Sequence, residues 1–567
     1  MSRPWAQNGA TLALYAVIVC AWTWPLVTDP TGLSVSPQFD AYSLIWLLDE
    51  APRLGWDMVS HGSAWPTGHG LVRVDSFIAF AAATALRGVV NPVLLASSMA
   101  LLGPVLSAWA AERFAAHSLR VAWPWSLIAG LCYGFSGLMA TALLEGHYYA
   151  MVTPWLPLLA MATLLATGPR ARPIHGVAVA VMWTLCLLTT AYCGLAASLL
   201  VLGLGARSPR RLLRPPVLLA CGLMLATGAG FTWLYLRGDG GSGDTLSSAV
   251  TTSRILEAGS ASVADLALVS PDAELIGHSI SPVLGWTCLL LFLTAPLVWK
   301  RLPHVRRLML LAVVVLTITM GPVVEIAGQR LPWVLTPLTH MDWASAFRFP
   351  VRLMPVAYLC MGAIAAAVAA RLAARSPRLA GPLLLFAVVD CFLGIGLPAR
   401  TARLPLDVPS AYRGLPPEGG LLELLPYFTS SDVDDALFMR NLACSYQRVH
   451  HKPLTHACLG TRVNDTPGRA LNDYVLEGCL EDSDGQRAQL RQWLVALGVS
   501  HVTLRPLLFP PNDREPLRGC LSELAGEPHA TSSDGGELLV IYQLIEPQDW
   551  DPSGEHALHH AAFMEFL

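Results

Sequence analysis

Long apolar runs recur along the first 400 residues, separated by short polar breaks. They lie at 9–28, 92–111, 122–142, 149–167, 174–190, 191–206, 216–236, 283–299, 308–324, 352–371 and 380–398. A helix of about 20 apolar residues crosses the hydrocarbon core of a bilayer. The pattern therefore predicts eleven transmembrane helices. A further stretch, 74–90, is short, begins beside Arg73 and Asp75, and carries Arg87; it reads as lying in the interface rather than crossing. Beyond residue 399 the pattern changes. VALGVSHVTL (495–504) and ELLVIYQLI (537–545) are rich in branched residues and read as strands, and GQRAQLRQWLVAL (485–497) reads as a helix leading into the first of them. The tail thus predicts a small α/β domain.

Composition agrees. The 567 residues are 54% apolar and 14% charged, with a mean hydropathy of +0.49, where a soluble chain would carry about a quarter charged residues. A soluble enzyme, a disordered hub and a nucleic-acid binder are excluded. Positions 1–399 hold 24 basic and 17 acidic residues, net +7, whereas positions 400–567 hold 13 basic and 23 acidic, net −10. A basic membrane part precedes an acidic, water-soluble one. Lysine occurs only at Lys300 and Lys452, which suggests a GC-rich bacterial genome.

Charge also orients the spans, because short cytoplasmic loops retain Arg and Lys. Arg3 precedes the first run and no small-residue cleavage site ends it, so that run reads as an uncleaved signal anchor with its N-terminus inside. With 74–90 in the interface, the loops bearing Arg113/Arg120, Arg170/Arg172, Arg207–Arg214, Lys300–Arg307 and Arg371/Arg375/Arg378 all face the cytoplasm. That places 16 basic residues inside and 8 outside over positions 1–399. The expected organisation is a transmembrane domain, 1–398, with outer loops 29–91, 237–282 and 325–351, followed by an extracytoplasmic domain, 399–567, at a bacterial inner membrane. Chemistry belongs on the outer face. The inner loops are short and the chain contains no G-x-x-x-x-G-K-[ST] phosphate loop.

Four of the twelve cysteines, Cys444, Cys458, Cys479 and Cys520, lie in the tail. An even number in an oxidising compartment permits two disulfides, in any of three pairings. The other eight sit in the spans as small apolar fillers.

The first outer loop, SVSPQFDAYSLIWLLDEAPRLGWDMVSHGSAWPTGHG, places Asp40 close to the membrane surface. A helix from Asp40 to Leu54 would put Ser43, Trp46 and Leu47 on one face and Asp49, Glu50 and Arg53 on another. A carboxylate held near the bilayer can act as a general base, since partial desolvation raises its pKa. With Asp57, His61, His69 and Asp75, the loop also offers ligands for a divalent cation such as Mg or Mn. Glu145 and His147 form the short turn between the third and fourth spans, beside Tyr148, Tyr149 and Trp155. In HMDWASAFRFPVRLMP the third outer segment supplies His340, Asp342, Arg348 and Arg352. Two arginines four apart share a helix face, and a guanidinium binds phosphate oxygens bidentately. The pair therefore suits a lipid phosphate. Generic headgroup anchoring is the plainer reading of the same residues.

Several features recur together: an acid after the first span, the turn Pro66-Thr67-Gly68, and Gly146-His147 before Trp155-Leu156-Pro157. With them come the R-F-P-V-R segment at 348–352, QRVHHKPLTHACLGTR at 447–462, and the L-G-V-x-H-V strand at 497–502. In these the chain resembles the GT-C superfamily of lipid-linked-sugar glycosyltransferases. The resemblance implies an inverting transferase whose base is an acid of the first outer loop and whose donor is a sugar on a polyprenyl phosphate. By position Asp40 takes the base role and Arg348 and Arg352 the phosphate role; Glu145, His147, His340 and Asp342 are further candidates for binding substrate. Asp40 stands between Phe39 and Ala41, without the neighbouring acid found in many members. The acceptor would be an envelope glycan, lipid or protein. A transporter or flippase of lipid-linked glycans and a non-catalytic envelope scaffold are the alternatives. The spans are nearly free of charge, Asp390 being the main exception, and no internal repeat is seen.

Overall fold

The computed structural model describes residues 4–33, 39–54, 59–60, 69–70, 77–144, 153–205, 214–237, 285–297, 303–326, 329–337, 350–393, 408–426, 444, 446–447, 450–451, 453–455, 467–480, 484–533 and 538–544. In chain order the helices and strands begin with α1 (Pro4–Trp22), α2 (Phe39–Glu50), β1 (Val59–Ser60), β2 (His69–Gly70), α3 (Phe77–Ala85) and α4 (Pro92–Ser118). There follow α5 (Ser126–Gly134), α6 (Gly137–Leu144), α7 (Trp155–Ala166), α8 (Pro173–Thr189), α9 (Ala191–Gly205), α10 (Pro215–Arg237), α11 (Trp286–Leu293) and α12 (Pro303–Thr319). The hairpin β3 (Val323–Ile326) and β4 (Gln329–Pro332) precedes α13 (Met354–Arg375) and α14 (Ala380–Leu393). The tail supplies β5 (Gly420–Glu423), α15 (Pro467–Leu480), α16 (Asp484–Ala496), β6 (Val499–Leu504), α17 (Pro511–Ala525), β7 (Ala530–Ser532) and β8 (Leu539–Gln543). Internal contacts divide the chain into two compact units. One comprises 1–37, 75–82 and 94–403; the other comprises 38–74, 83–93 and 404–567.

Each of the eleven apolar runs carries helix. Among the described residues, two helices are long and apolar enough to cross a membrane by length and composition, Pro92–Ser118 and Pro350–Arg375. Five shorter apolar helices are Gln7–Trp22, Trp155–Ala166, Pro173–Thr189, Ala191–Gly205 and Pro215–Gly230. The run 122–142 is not continuous: Phe135, at φ −124 and ψ 35, separates α5 from α6. The nine residues of α3 extend only about 14 Å, less than half of a hydrocarbon core of roughly 30 Å. That helix cannot cross by itself.

In the first unit α13 is central, packing against α5, α12 and α11. Its apolar window is 89% buried, and small residues make the close packing possible. At Gly362 an added Cβ would meet Cys132 Cβ at 3.0 Å and the Ala129 carbonyl at 3.2 Å, so a side chain there would push α5 and α13 apart. Asp390 of α14, the charge that stood out in the last apolar run, has a structural task. Its carboxylate accepts the backbone N–H of Trp286 at 3.0 Å and of Thr287 at 2.7 Å. Those are orphan amides at the start of α11, and Asp390 caps them from across 103 residues.

The second unit contains a four-stranded sheet in the order β5-β6-β8-β7, parallel between β5 and β6 and antiparallel elsewhere. Every residue of β6, VSHVTL, is buried, as in a strand covered on both faces. Val475 and Leu476 of α15, Leu490 and Leu494 of α16, and Leu517 and Leu521 of α17 join Val502 and Val540 in one core. Gly498 takes φ +70 between α16 and β6, the left-handed turn that ends a helix and that glycine adopts without steric cost.

Cys479 and Cys520 are bonded to each other and tie α15 to α17 across 41 residues. Cys444 is disulfide-bonded too, while Cys458 lies outside the described residues. The eight cysteines before the tail are free thiols. Replacing Cys479 and Cys520 together by serine is expected to cost roughly 2–4 kcal/mol, because the open loop regains entropy when unfolded. Faster amide exchange in β6 and β8 of the full-length protein would show it; unchanged exchange would mean that the bridge adds nothing.

Candidate functional site

Asp40 is the second residue of α2. A carboxylate in a first helical turn sits at the positive end of the helix dipole. Its side chain, with those of Phe39 and Ser43, lies outside the described residues. So do Glu145, His147, His340, Asp342 and Arg348 in full, and Asp57, His61 and Asp75 with them. Of the residues expected to bind substrate, Arg352 is described. It belongs to the first unit and α2 to the second, so each is taken in its own unit.

Arg352 occupies a short 3₁₀ turn, Pro350–Leu353, that leads into α13. The turn packs against α9, α12 and α13. Its neighbours Val351 and Leu353 are buried, which fixes the direction in which Arg352 leaves the backbone. The guanidinium carbon lies 5.2 Å from the centroid of Tyr192, within cation–π range. Tyr192 in turn is placed by the break between α8 and α9. Thr190 is extended there, at φ −155 and ψ 154, and its hydroxyl accepts the N–H of Cys193 at 2.9 Å, capping α9. Lying over the ring limits the directions in which the planar cation can turn.

The helix that carries Asp40 is built differently from an exposed loop helix. Tyr42, Leu44, Ile45, Trp46, Leu47 and Leu48 are all buried, so α2 is covered around its circumference and not along one face. Trp46 explains part of this. It is 1% exposed, and its indole N–H donates to the Gln447 side-chain oxygen, 401 residues away in sequence. The expected grouping of Asp49, Glu50 and Arg53 does form. Arg53 reaches Asp49 at 3.0 Å and Glu50 at 3.2 Å. Its other NH2 group lies 3.3 Å from His451 Nδ1. A guanidinium can only donate, so in this contact the imidazole nitrogen accepts. Arg87 donates to the Pro52 carbonyl at 3.2 Å, fastening the far end of the loop to the 3₁₀ turn that follows α2.

Gln447 and His451 belong to the tail motif 447–462, and the residues between them continue inward. His450 stacks on Tyr412, with ring centroids 5.2 Å apart and planes at 24°. The Tyr412 hydroxyl donates to Glu423, which also accepts from Thr503, and Arg505 donates to the Tyr412 oxygen at 3.3 Å. Burial and the Glu423 charge push the Tyr412 hydroxyl well above its ordinary pKa, against the opposing pull of Arg505. Burial works against the charge of Arg505 itself, but Tyr412, Glu423 and Tyr446 hold it above the usual arginine range. This network was not expected from the sequence. One signal was present: a single acid, Glu423, inside the apolar strand GLLELL, where only a buried partner makes it tolerable. Glu112 gives the same signal in α4. Fully buried, it is held by Arg113 and by the Ser126 hydroxyl at 2.8 Å. No three His, Cys, Asp or Glu come together as a metal-ligand group among the described residues.

No family model matches the chain, and no curated protein matches it. Solved structures do. The arabinofuranosyltransferase AftD from mycobacteria superposes with a TM-score of 0.60 at 16% identity, over 97% of this chain and 40% of its own. A point mutant of AftD superposes in two classes with scores of 0.52 and 0.50, at 15% and 16% identity, over 97% of this chain and 42% of its own. The apo oligosaccharyltransferase from Archaeoglobus fulgidus scores 0.48 at 12% identity, over 88% of this chain and 69% of its own. The chain thus spans about two fifths of the length of AftD. In fold, the chain resembles the arabinofuranosyltransferase AftD.

Proposed function

We propose that the chain is a membrane glycosyltransferase that moves a sugar from a polyprenyl-phosphate donor to an envelope glycan, lipid or protein, with inversion, on the outer face of the membrane. The observation that carries this reading is the likeness in fold to AftD over 97% of the chain. Asp40 takes the proton from the acceptor hydroxyl. The acceptor oxygen bonds to the anomeric carbon as the bond from that carbon to the phosphate oxygen breaks, and the electron pair leaves with the lipid phosphate. Arg348 and Arg352 stabilise the charge that develops there. Eleven spans, with the N-terminus inside and the tail outside, let the donor enter laterally from the outer leaflet and need no nucleotide site. The tail holds α2 through Gln447 and His451, and so orients the helix that carries the base.

AftD transfers arabinofuranose, which makes a pentofuranosyl lipid the first donor to try. Purified full-length protein, given polyprenyl-phosphate-linked sugars and envelope extract, is expected to release polyprenyl phosphate in step with glycan labelling. Membranes with and without the protein that show the same transfer and the same lipid-linked pools would refute the reading.

Arg352→Lys keeps the charge but loses the flat ring contact with Tyr192 and the two-pronged hydrogen bonding. A charge-assisted hydrogen bond contributes roughly 1.5–3 kcal/mol, so donor use is expected to fall about 10- to 100-fold. Wild-type donor affinity in this variant would reduce Arg352 to an interfacial anchor, since lysine also snorkels to the headgroups.

A further inference from the structure

At the end of the first unit opposite Arg352, the turn after α4 and the C-terminal end of α13 border an open cavity of about 540 Å³. Arg120 and Arg371 both line it, with Leu119, Val121 and Trp125 on one side and the alanines of α13 on the other. We propose that this cavity binds the phosphate headgroup of an anionic membrane phospholipid, with the start of an acyl chain lying along α13. Its volume is that of a small-molecule site.

Three observations support it. The first is the backbone of Arg120. It lies at φ +56, a left-handed conformation that glycine adopts freely and that strains a residue with a side chain. It follows the last turn of α4, where Val121 N–H closes back on the Ala115 carbonyl at 3.2 Å, a position that glycine commonly occupies. Strain kept at such a place points to use of the side chain.

The second observation is charge. Among the described residues neither Arg120 nor Arg371 has an ion-pair partner. Glu112, the acid of α4, is already occupied by Arg113 and Ser126. The cavity therefore presents two uncompensated guanidinium groups, and a phosphate diester matches them.

The third observation is shape. Ala367, Ala370 and Ala374 are spaced along one face of α13, so the wall is a smooth apolar slot with no side chain filling it. A free phosphate ion would leave that slot and the Trp125 side empty. A phospholipid uses both parts: its headgroup meets the arginines and its chain follows the alanines. Basic recesses between helices on the cytoplasmic side are suited to such headgroups. The placement on that side rests on the proposed orientation of the spans, but lipid binding in detergent does not depend on it. Accessibility of a cysteine at position 120 to an impermeant reagent in cells checks the orientation separately.

The test uses the full-length protein in neutral detergent, and reads thermal melting together with lipid retention in native mass spectrometry. Phosphatidylglycerol is expected to raise the melting temperature and to remain bound, whereas phosphatidylcholine and inorganic phosphate leave both unchanged. Arg120→Gly relieves the left-handed strain, so it should melt no lower than wild type without lipid. It should nonetheless need about ten times more phosphatidylglycerol for the same shift, the loss of one charge-assisted contact. Arg371→Gln, which leaves the turn untouched, should show the same tenfold weakening. The proposal is overturned if both variants respond to phosphatidylglycerol like wild type, if phosphatidylcholine works equally well, or if inorganic phosphate alone reproduces the shift.

Discussion

Asp40→Asn is expected to lower the rate of sugar transfer by a factor of about 10² to 10⁴, the usual cost of losing a general base. The substitution keeps the shape of the side chain and removes its ability to hold the acceptor proton. Stability should change far less. Losing a negative charge from the first turn of α2 costs roughly 0.3–1 kcal/mol of dipole interaction. Asp49→Asn is the informative comparison, because Asp49 is tied to Arg53 at 3.0 Å and its loss loosens the end of the same helix without touching the proposed base. Melting curves would therefore group the two variants together while initial rates separate them. The pH–rate profile adds a second readout: the limb belonging to the base should vanish in Asp40→Asn and persist in Asp49→Asn. If Asp40→Asn transfers sugar at the wild-type rate, the base lies elsewhere.

The parts of this structure that could be read from the sequence are those whose causes are local. Hydrophobic length is local, and every apolar run carries helix. The strands at 499–504 and 539–543 and the helix at 484–496 also declare themselves, through branched residues, helical periodicity and Gly498. What could not be read depends on partners distant in the chain. Trp46 looked like one face of a loop helix, and becomes fully enclosed because Gln447 meets it from 401 residues away. Asp390 looked like a misplaced charge in lipid, and proves to be a cap for amides at Trp286 and Thr287. The break between α5 and α6 at Phe135 interrupts a run with no proline between Ser126 and Leu144. Of the candidate site, residue type and order were legible, while the anchoring of α2 by the tail was not, since no local pattern encodes a contact between a first loop and a last domain.

That anchoring makes Arg505 the residue in the tail whose loss should matter most. Arg505→Met is expected to destabilise the second unit by roughly 3–5 kcal/mol, the cost of leaving a buried charge without its partner. Glu423 is 4% exposed and Arg505 5%, and between them stands the Tyr412 hydroxyl, which donates to the acid and accepts from the guanidinium. Methionine fills the space but offers nothing to the carboxylate. Adding Glu423→Gln removes that uncompensated charge, so the double variant should recover a good part of the loss. Only part should return, since the glutamine amide keeps one acceptor oxygen for two hydroxyl donors, those of Tyr412 and Thr503. Tyr412 sets the pH signature. Burial, then the Glu423 charge, raises its pKa well above the ordinary 10.0, so the folded unit holds this proton more tightly than the unfolded chain. Its contribution is therefore complete below pH 10.0 and is lost as pH climbs from there towards the raised value. Removing Arg505 takes away the one charge that lowered it, so the alkaline loss should begin at the same pH and extend further. Amide exchange across β5 and β6, followed with pH in the intact protein, reads all of this. Because Tyr412 also stacks on His450, beside the segment that grips Trp46 and Arg53, transfer activity should fall with Arg505→Met and return in proportion in the double variant. Wild-type exchange in Arg505→Met would show that the carboxylate is neutralised by another route; normal exchange in the double variant without recovery of activity would separate the tail core from the orientation of α2.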